Sequence, residues 1–459
     1  MTFQSLEYAV LLALVFAVYW FMSRRYQNYL LLGASYVFYS YADVRMALLL
    51  GGYTLVTYFS ARRIEEDSVN ARRYLAVVLI ASLGALAFFK YAGFFVESIA
   101  DALNLVGLAS FDSTLKIILP VGISFYTFQS IGYVIDVYKK RTHAMQNFVD
   151  TALFISFFPQ LVAGPIERAS KLFPQLETRR AFNVDRTASG ITLLAWGLFK
   201  KLVIADNVGM IVGNVFSASQ PGGTMLWVGV FAFGIQILAD FSGYTDIARG
   251  SARLLGIDLS VNFKHPWLAS SPADFWRRWH ITLSEWLRDY VYIPLGGDRN
   301  GKRRTAINVV ITFALGGLWH GAAWNFVLWG LFHAGFILAW RVLKAAGTPS
   351  NRAVSTLATF LVIGASWLPF RESDLTYMAD NIFGAPQEAR LSVALAITAL
   401  LYSLPLWLHA IVDRPAISSL WTRNDVSRTA VFTILTLTSF VAILALRADT
   451  TAEFIYFRF

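Results

Sequence analysis

Long runs of apolar residues recur from one end of this 459-residue chain to the other, and they constrain its fold more than any other feature. Leu6 to Phe21, Tyr74 to Phe89, Ile191 to Val203, Met225 to Leu238, Ala306 to Leu318, Leu357 to Leu368, Leu391 to Leu408 and Val431 to Leu446 are the main ones. A helix needs about 20 largely apolar residues to cross the hydrocarbon layer, and several runs reach that only with their flanks. Backbone polar groups in lipid must be satisfied within the chain, so short or Gly-interrupted runs point to tilted, broken or re-entrant helices. Charged residues make up 15% of the chain and hydrophobic ones 56%, where an ordinary soluble domain carries about a quarter charged. The pattern predicts an all-α polytopic membrane protein. It has roughly ten to thirteen hydrophobic elements, interfacial or re-entrant helices among them, in one membrane-embedded domain over residues 1–459. The first run reads as a retained helix, because Glu7 stands where a signal peptide carries base and no small-residue cleavage site precedes Arg24.

The net charge of +10 does not mark a nucleic-acid binder, because the base lies in short segments between apolar runs. Arg24-Arg25, Arg62-Arg63, Arg72-Arg73, Lys139-Lys140-Arg141 and Lys302-Arg303-Arg304 are these segments, and the positive-inside rule assigns them to the cytoplasm. The stretch from Arg371 to Glu388, with Glu372, Asp374 and Asp380 but little base, is expected outside. The chain has no cysteine, which excludes a catalytic thiol, a thiolate metal site and a disulfide. It also lacks a P-loop, a dinucleotide fingerprint and a zinc-protease motif. Neither a metal nor a bound cofactor is expected, and a transport ATPase is excluded. A secondary transporter stays open on hydropathy alone.

Polar residues inside apolar surroundings single out the region from Asp240 to His333. In ADFSGYTDIARG, Ala239 to Gly250, Asp240 and Asp246 flank a short polar run. A carboxylate near hydrocarbon must be paired or hydrated. An Asp here, Asp240 or Asp246, therefore either caps a broken helix or pairs with an arginine such as Arg249, or else the segment lines a substrate tunnel. The segment SPADFWRRWHITLSEWLRDYVYIPLGG, Ser271 to Gly297, opens with an N-cap signature at Ser271-Pro272. Projected as one helix, Phe275, Trp279, Leu283, Trp286 and Tyr290 share a face. Arg277, Arg278, Glu285, Arg288 and Asp289 lie opposite, and His280 sits on the boundary. Such a helix suits an interface or a funnel wall, and its basic side suits either the phosphates of a nucleotide-like cofactor or lipid headgroups. In LGGLWHGAAWNFVLWGLFHAG, Leu315 to Gly335, glycines and alanines surround His320. An imidazole at that depth faces a cavity or a partner, and it accepts and releases a proton at modest cost. It is either a base or a histidine bonded across a helix interface. His333 falls on another face of a continuous helix and is expected to be structural.

These motifs resemble the bacterial branch of the membrane-bound O-acyltransferases whose members acetylate alginate, peptidoglycan or cellulose. The resemblance rests on His265-Pro266-Trp267, DFWRRWHITLSEWLRDYVYIPLGG and GGLWHGAAWNFVLWG. It extends to FFPQLVAGPIER from Phe157, GIQILADFSGYTDIA from Gly234 and the terminal FIYFRF. It implies a ring of helices around a central tunnel in a bacterial inner membrane. It places the family's near-invariant histidine on His320 and its upstream polar position on His280. It implies acetyl-CoA as a cytoplasmic acyl donor, an extracytoplasmic polysaccharide as final acceptor and a periplasmic acetyltransferase partner. His320 is the expected general base and His280 a candidate donor to the oxyanion. Asp240, Arg277, Arg278, Trp319 and Asn325 are candidates for lining the tunnel or binding the donor. A D-alanyl or lipid O-acyltransferase of the same family would share both histidines, whereas a transporter or a scaffold of a polysaccharide synthase would show no acyl turnover. The C-terminal Phe454-Ile455-Tyr456-Phe457-Arg458-Phe459 has three readings: an interfacial anchor, a docking peptide, or, as the resemblance implies, an acyl relay through Tyr456.

Overall fold

A computed structural model describes residues 1–41, 43–107, 117–162, 164–347, 351–385, 388–414, 417, 425–449 and 452–457. Arg458, Phe459 and Ala163, which belong to sequence motifs noted above, lie outside the described residues. The described chain is helical throughout. Among the described residues, eight helical stretches are long and apolar enough to cross a membrane. The first apolar run forms a shorter helix of 14 residues. The protein is an all-α polytopic membrane protein.

Chain contacts group into two units, residues 1–187 with 251–260 and residues 188–250 with 261–459. The first holds α1 (Leu6–Tyr19), α2 (Arg24–Ser40), α3 (Val44–Glu66) and α4 (Ala71–Leu86), which a π turn joins to α5 (Ala92–Leu105). α6 (Ile123–Tyr138), α7 (Phe148–Ser156) and α8 (Ala169–Glu177) complete it. α6 is buried on nearly every face, and its buried polar side chains find partners, Thr127 donating to the Tyr53 hydroxyl at 3.0 Å and Gln129 to the Phe154 carbonyl at 2.5 Å. Asp150 of α7 accepts from Arg24 and Asn28 of α2, both at 2.6 Å, so its charge is paired inside the unit.

The second unit is built from α9 (Val184–Phe199), a π turn at Lys200–Ala205, α10 (Asp206–Ser217) and the 33-residue α11 (Gly222–Leu254). α12 (Pro272–Trp276) and α13 (Ile281–Leu287) are short, and a π turn at Arg288–Tyr292 follows α13. α14 (Gly301–His320), α15 (Trp324–Ala345), α16 (Arg352–Arg371), α17 (Leu375–Ile382), α18 (Ala389–Val412) and α19 (Asp425–Leu446) follow. Helix succession brings Lys302, Arg303 and Arg304 at the start of α14 to the same end as Lys344, at the end of α15, and Arg352, at the start of α16.

Three expectations change. α11 runs through Asp240 and Asp246 without a break; Asp240 pairs with Lys201, and Asp246 pairs with Lys200 and also, as expected, with Arg249 at 3.0 Å. The amphipathic segment after Ser271 is not one helix. Ser271 caps α12 as expected, its Oγ accepting from Asp274 N at 3.1 Å, but the chain breaks after Trp276 and restarts at Ile281. His320 and His333 do not share a helix either. α14 ends at His320, Gly321 is extended, and α15 begins only at Trp324.

α14 and α15 approach at backbone distance. A methyl at Gly317 would stand 2.1 Å from the Phe326 carbonyl oxygen, and one at Gly330 would stand 2.2 Å from that of Phe313. Small residues are what allow such contact between helices in lipid. Gly317→Ala should therefore force the two helices apart, at a cost of about 1–3 kcal/mol. Gly335→Ala, on the same helix pair with nothing within 4 Å of the added carbon, should leave stability unchanged. Thermal melts of the detergent-solubilised variants, followed by size-exclusion chromatography, compare the two.

Candidate active site

His320 is the last residue of α14, and the chain turns away immediately after it. That break points the imidazole inward rather than along a helix face. The residue is 3% exposed. Its ring lies 5.0 Å from those of Trp319 and Trp329 and 5.3 Å from that of Phe370. A polar ring in such a setting needs a polar partner, and one is supplied from 136 residues away. The Tyr456 hydroxyl lies 3.1 Å from His320 Nδ1. A phenol both donates and accepts. With the imidazole proton on Nε2, Nδ1 accepts the phenolic hydrogen.

The C-terminal segment reaches this position by burying itself within the second unit. Phe454 is 0% exposed, with its ring 4.1 Å from that of Tyr244. Tyr456 lies 4.5 Å from Phe241, on the same stretch of α11. Asp240 Oδ2 accepts the Ile455 N–H at 2.8 Å. Burial holds the Tyr456 phenol well above its ordinary value, so it would lose a proton only to an adjacent base. The imidazole within reach of that phenol is His320.

His280 also lies in this unit, fully buried rather than on a boundary. It adopts the left-handed region, φ +41° and ψ 54°, as the N-cap of α13. A non-glycine residue there is uncommon. The fold holds it with Asn262, whose carbonyl oxygen accepts from Ile281 N at 2.9 Å. Asn262 Oδ1 accepts from Thr282 N and Thr282 Oγ1 and lies 3.2 Å from His280 Nδ1. A carboxamide oxygen only accepts, so Nδ1 carries the proton and Nε2 has the lone pair. Burial pushes the imidazole down to about 3, which keeps it neutral. His280 and His320 are linked through rings: His280 packs on Trp319 at 5.6 Å and on Phe241 at 4.7 Å.

The other candidates fall into two groups. Trp319 and Asp240 belong to the buried cluster. Asn325, at the start of α15, donates to the Pro369 carbonyl at 3.0 Å and lines a cavity of about 440 Å³ with Gln236, Arg371, Ser373, Glu453 and Ile455. Ala322, Ala323 and Phe370 lie in the same wall, so the cavity adjoins the His320–Tyr456 pair. Arg277 and Arg278 point elsewhere. Arg277 has 72% of its side chain exposed, and Arg278 pairs with Asp274 at 2.9 Å. His333 is buried among Trp276, Trp329 and Phe275, with the Trp329 ring between it and His320. Sequence reasoning missed Lys201 and Asn262. Two adjacent lysines in an apolar run were the available signal, since charge at that depth is expensive.

The sequence from residue 142 to 367 matches the pattern of the MBOAT, membrane-bound O-acyltransferase family. The chain is also 40% identical over 368 residues to a probable alginate O-acetylase of Azotobacter vinelandii, covering 79% of this chain and 73% of that one. This chain belongs to the membrane-bound O-acyltransferase family. It is 36% identical to a peptidoglycan O-acetyltransferase of Helicobacter pylori, over 74% of this chain and 70% of the relative. A teichoic acid D-alanyltransferase of Bacillus subtilis is 28% identical over 52% of this chain and 64% of its own. The matched family segment contains both His280 and His320, while Tyr456 lies beyond it.

A neutral buried histidine makes stability fall in acid. The unfolded chain takes up a proton near the ordinary histidine value while the folded one resists until about 3. The stability difference is therefore complete above the unfolded value and is lost as pH falls from about 6.5 toward 3. His280→Gln removes that proton uptake. Melts at pH 7.5 and pH 5 should show a smaller acid loss for His280→Gln than for the unaltered protein.

Proposed function

We propose that this membrane-bound O-acyltransferase family member moves an acetyl group from cytoplasmic acetyl-CoA, through a His320–Tyr456 pair, to an extracytoplasmic polysaccharide by way of a periplasmic acetyltransferase partner. The observation that carries this reading is the 3.1 Å contact between the Tyr456 hydroxyl and His320 Nδ1. It favours the relay over a tail that merely anchors or docks, because an anchor would put the aromatic rings at the headgroups and Phe454 is buried in the protein instead.

The chemistry follows from the atoms. Nδ1 of His320 removes the phenolic proton as the Tyr456 oxygen attacks the thioester carbonyl. The C–O bond forms, the C–S bond breaks, and the proton passes to the departing thiolate, leaving an acetyl ester on Tyr456. An aryl ester is an activated acyl donor. An acceptor hydroxyl then attacks it, the phenolate leaves, and the proton from that hydroxyl returns to the phenol through His320. The aromatic walls around His320 exclude water from the ester. The polar cavity bordered by Gln236, Asn325, Arg371 and Glu453 is the approach we assign to the acceptor. The basic cluster Lys302, Arg303 and Arg304 faces the cytoplasm in this reading, where it helps gather the anionic donor. Helices of the second unit would enclose the passage between the two faces.

Acetyl is favoured over D-alanyl because the relatives named for acetylation match at higher identity and coverage than the D-alanyltransferase does. His280, with its lone pair on Nε2, acts as an acceptor that orients the donor, for example through an amide N–H of the pantetheine arm. A bacterial inner membrane location follows from the same relatives.

His320→Ala should lower acetylation of the cell-surface polymer by about two to four orders of magnitude while the protein still inserts and folds. Tyr456→Phe keeps the ring and removes only the hydroxyl. It should give intact protein with little polymer acetylation. Mass spectrometry of surface polymer from cells carrying each variant measures both. Unimpaired acetylation with Tyr456→Phe would rule out the relay, and unimpaired acetylation with His320→Ala would rule out the base.

A further inference from the structure

The Lys201 ammonium is 1% exposed and sits in the π turn that interrupts the helix between α9 and α10. An ammonium has three N–H bonds, and three oxygens surround this one, two in hydrogen bonds and one in an ion pair. Asp206 Oδ1 lies at 2.7 Å, Asp240 Oδ1 at 3.0 Å, and the Ala452 carbonyl oxygen at 2.8 Å. The second oxygen of Asp240 takes the Ile455 N–H. Two backbone groups of the C-terminal segment, one carbonyl and one N–H, are thus satisfied by one buried ion cluster. A little upstream, Asn207 donates to the Leu446 carbonyl at 2.9 Å, and Ala448 N donates to the Leu202 carbonyl at 3.4 Å. All the anchoring groups come from residues 201–207 or from Asp240, and they act on backbone. Phe454 fills the space beside Tyr244, one turn along α11 from Asp240.

We infer that Lys201, Asp206 and Asp240 form a latch that docks the C-terminal segment and thereby positions the Tyr456 hydroxyl on His320. The inference rests on the Tyr456 reading given above for its catalytic consequence, but not for the docking itself. The π turn explains how adjacent lysines serve separate purposes. It directs Lys200 to Asp246 at 2.6 Å and to Ser242 at 2.9 Å, while Lys201 faces the tail. Such turns recur where a helix must re-aim a side chain for function. Because the contacts fall on Ala452 and Ile455, they fix the segment on both sides of Phe454 and leave Tyr456 one residue beyond the last anchor. A misplacement of about 1 Å at a reacting group costs about 100-fold in rate, so the latch is a positioning device and touches no reacting atom.

The test exploits the absence of native cysteine. A spin label on Glu453→Cys, an exposed site beside the buried Phe454, reports whether the segment is held. In the otherwise unaltered full-length protein and in Tyr456→Phe the label should be immobile. In Lys201→Met it should become mobile, and in the unlabelled Lys201→Met protein, which keeps Glu453, kcat for acyl transfer should fall about 100-fold with donor KM unchanged. Ile455→Pro removes the N–H that Asp240 accepts, together with the Ile455 side chain, and leaves Lys201, Asp206 and Asp240 in place, so it decides the matter if Lys201→Met does not fold. It should release the label in the same way. An immobile label in both Lys201→Met and Ile455→Pro would overturn the latch, whatever acyl transfer does. A released label with undiminished turnover would instead uphold the docking and overturn the role of Tyr456 in the reaction.

Discussion

Backbone taken into an apolar interior must bring its hydrogen-bond partners with it or find them there. The C-terminal segment meets this constraint at the Lys201 cluster. Asp206 and Asp240 neutralise a buried ammonium, and the ammonium and one carboxylate still have a donor and an acceptor left for the incoming chain. A buried ion pair contributes little net stability because desolvation offsets attraction, but losing one partner is costly, about 3–5 kcal/mol. Its value lies in specifying one arrangement. Here it specifies the register in which a flanking aromatic segment enters the helical unit, and so which hydroxyl meets His320.

The same unit shows how an imidazole is given a direction. Both histidines that matter sit at helix boundaries, His320 ending α14 and His280 capping α13. A boundary frees a side chain from the helix face and lets it project into the interior. Asn262 then fixes one tautomer of His280, and the phenol of Tyr456 satisfies His320. The two rings differ in consequence. His320 meets a hydroxyl whose proton it can take, whereas His280 directs its one N–H to Asn262 and turns a lone pair the other way.

Much of this was legible in the sequence, for identifiable reasons. The apolar runs appear as helices because length and composition are local properties. Ser271 caps α12 because the N-cap signature is local as well. His320 stood out because glycine and alanine around an imidazole leave it nothing nearby to bond. What stayed hidden depends on long-range pairing or on backbone breaks without a composition signal. Nothing in WRRWH announces that His280 will adopt a left-handed conformation, since that position holds neither glycine nor asparagine. Gly321-Ala322-Ala323 reads as close packing but forms the gap between α14 and α15. Lys201 and Ala452 are 251 residues apart, and no periodicity connects them. The aromatic tail was conspicuous, yet its destination depended on that pairing.

The central claim is that Tyr456 carries the acyl group between donor and acceptor. Purified protein can be incubated with acetyl-CoA in the absence of any periplasmic partner, then digested and mapped by mass spectrometry. An acetyl ester on the C-terminal peptide, localised to Tyr456, is expected in the protein with His320 and none when His320 is replaced by alanine. Donor turnover or polymer acetylation by a protein that never acquires an acetyl group on Tyr456 would contradict it.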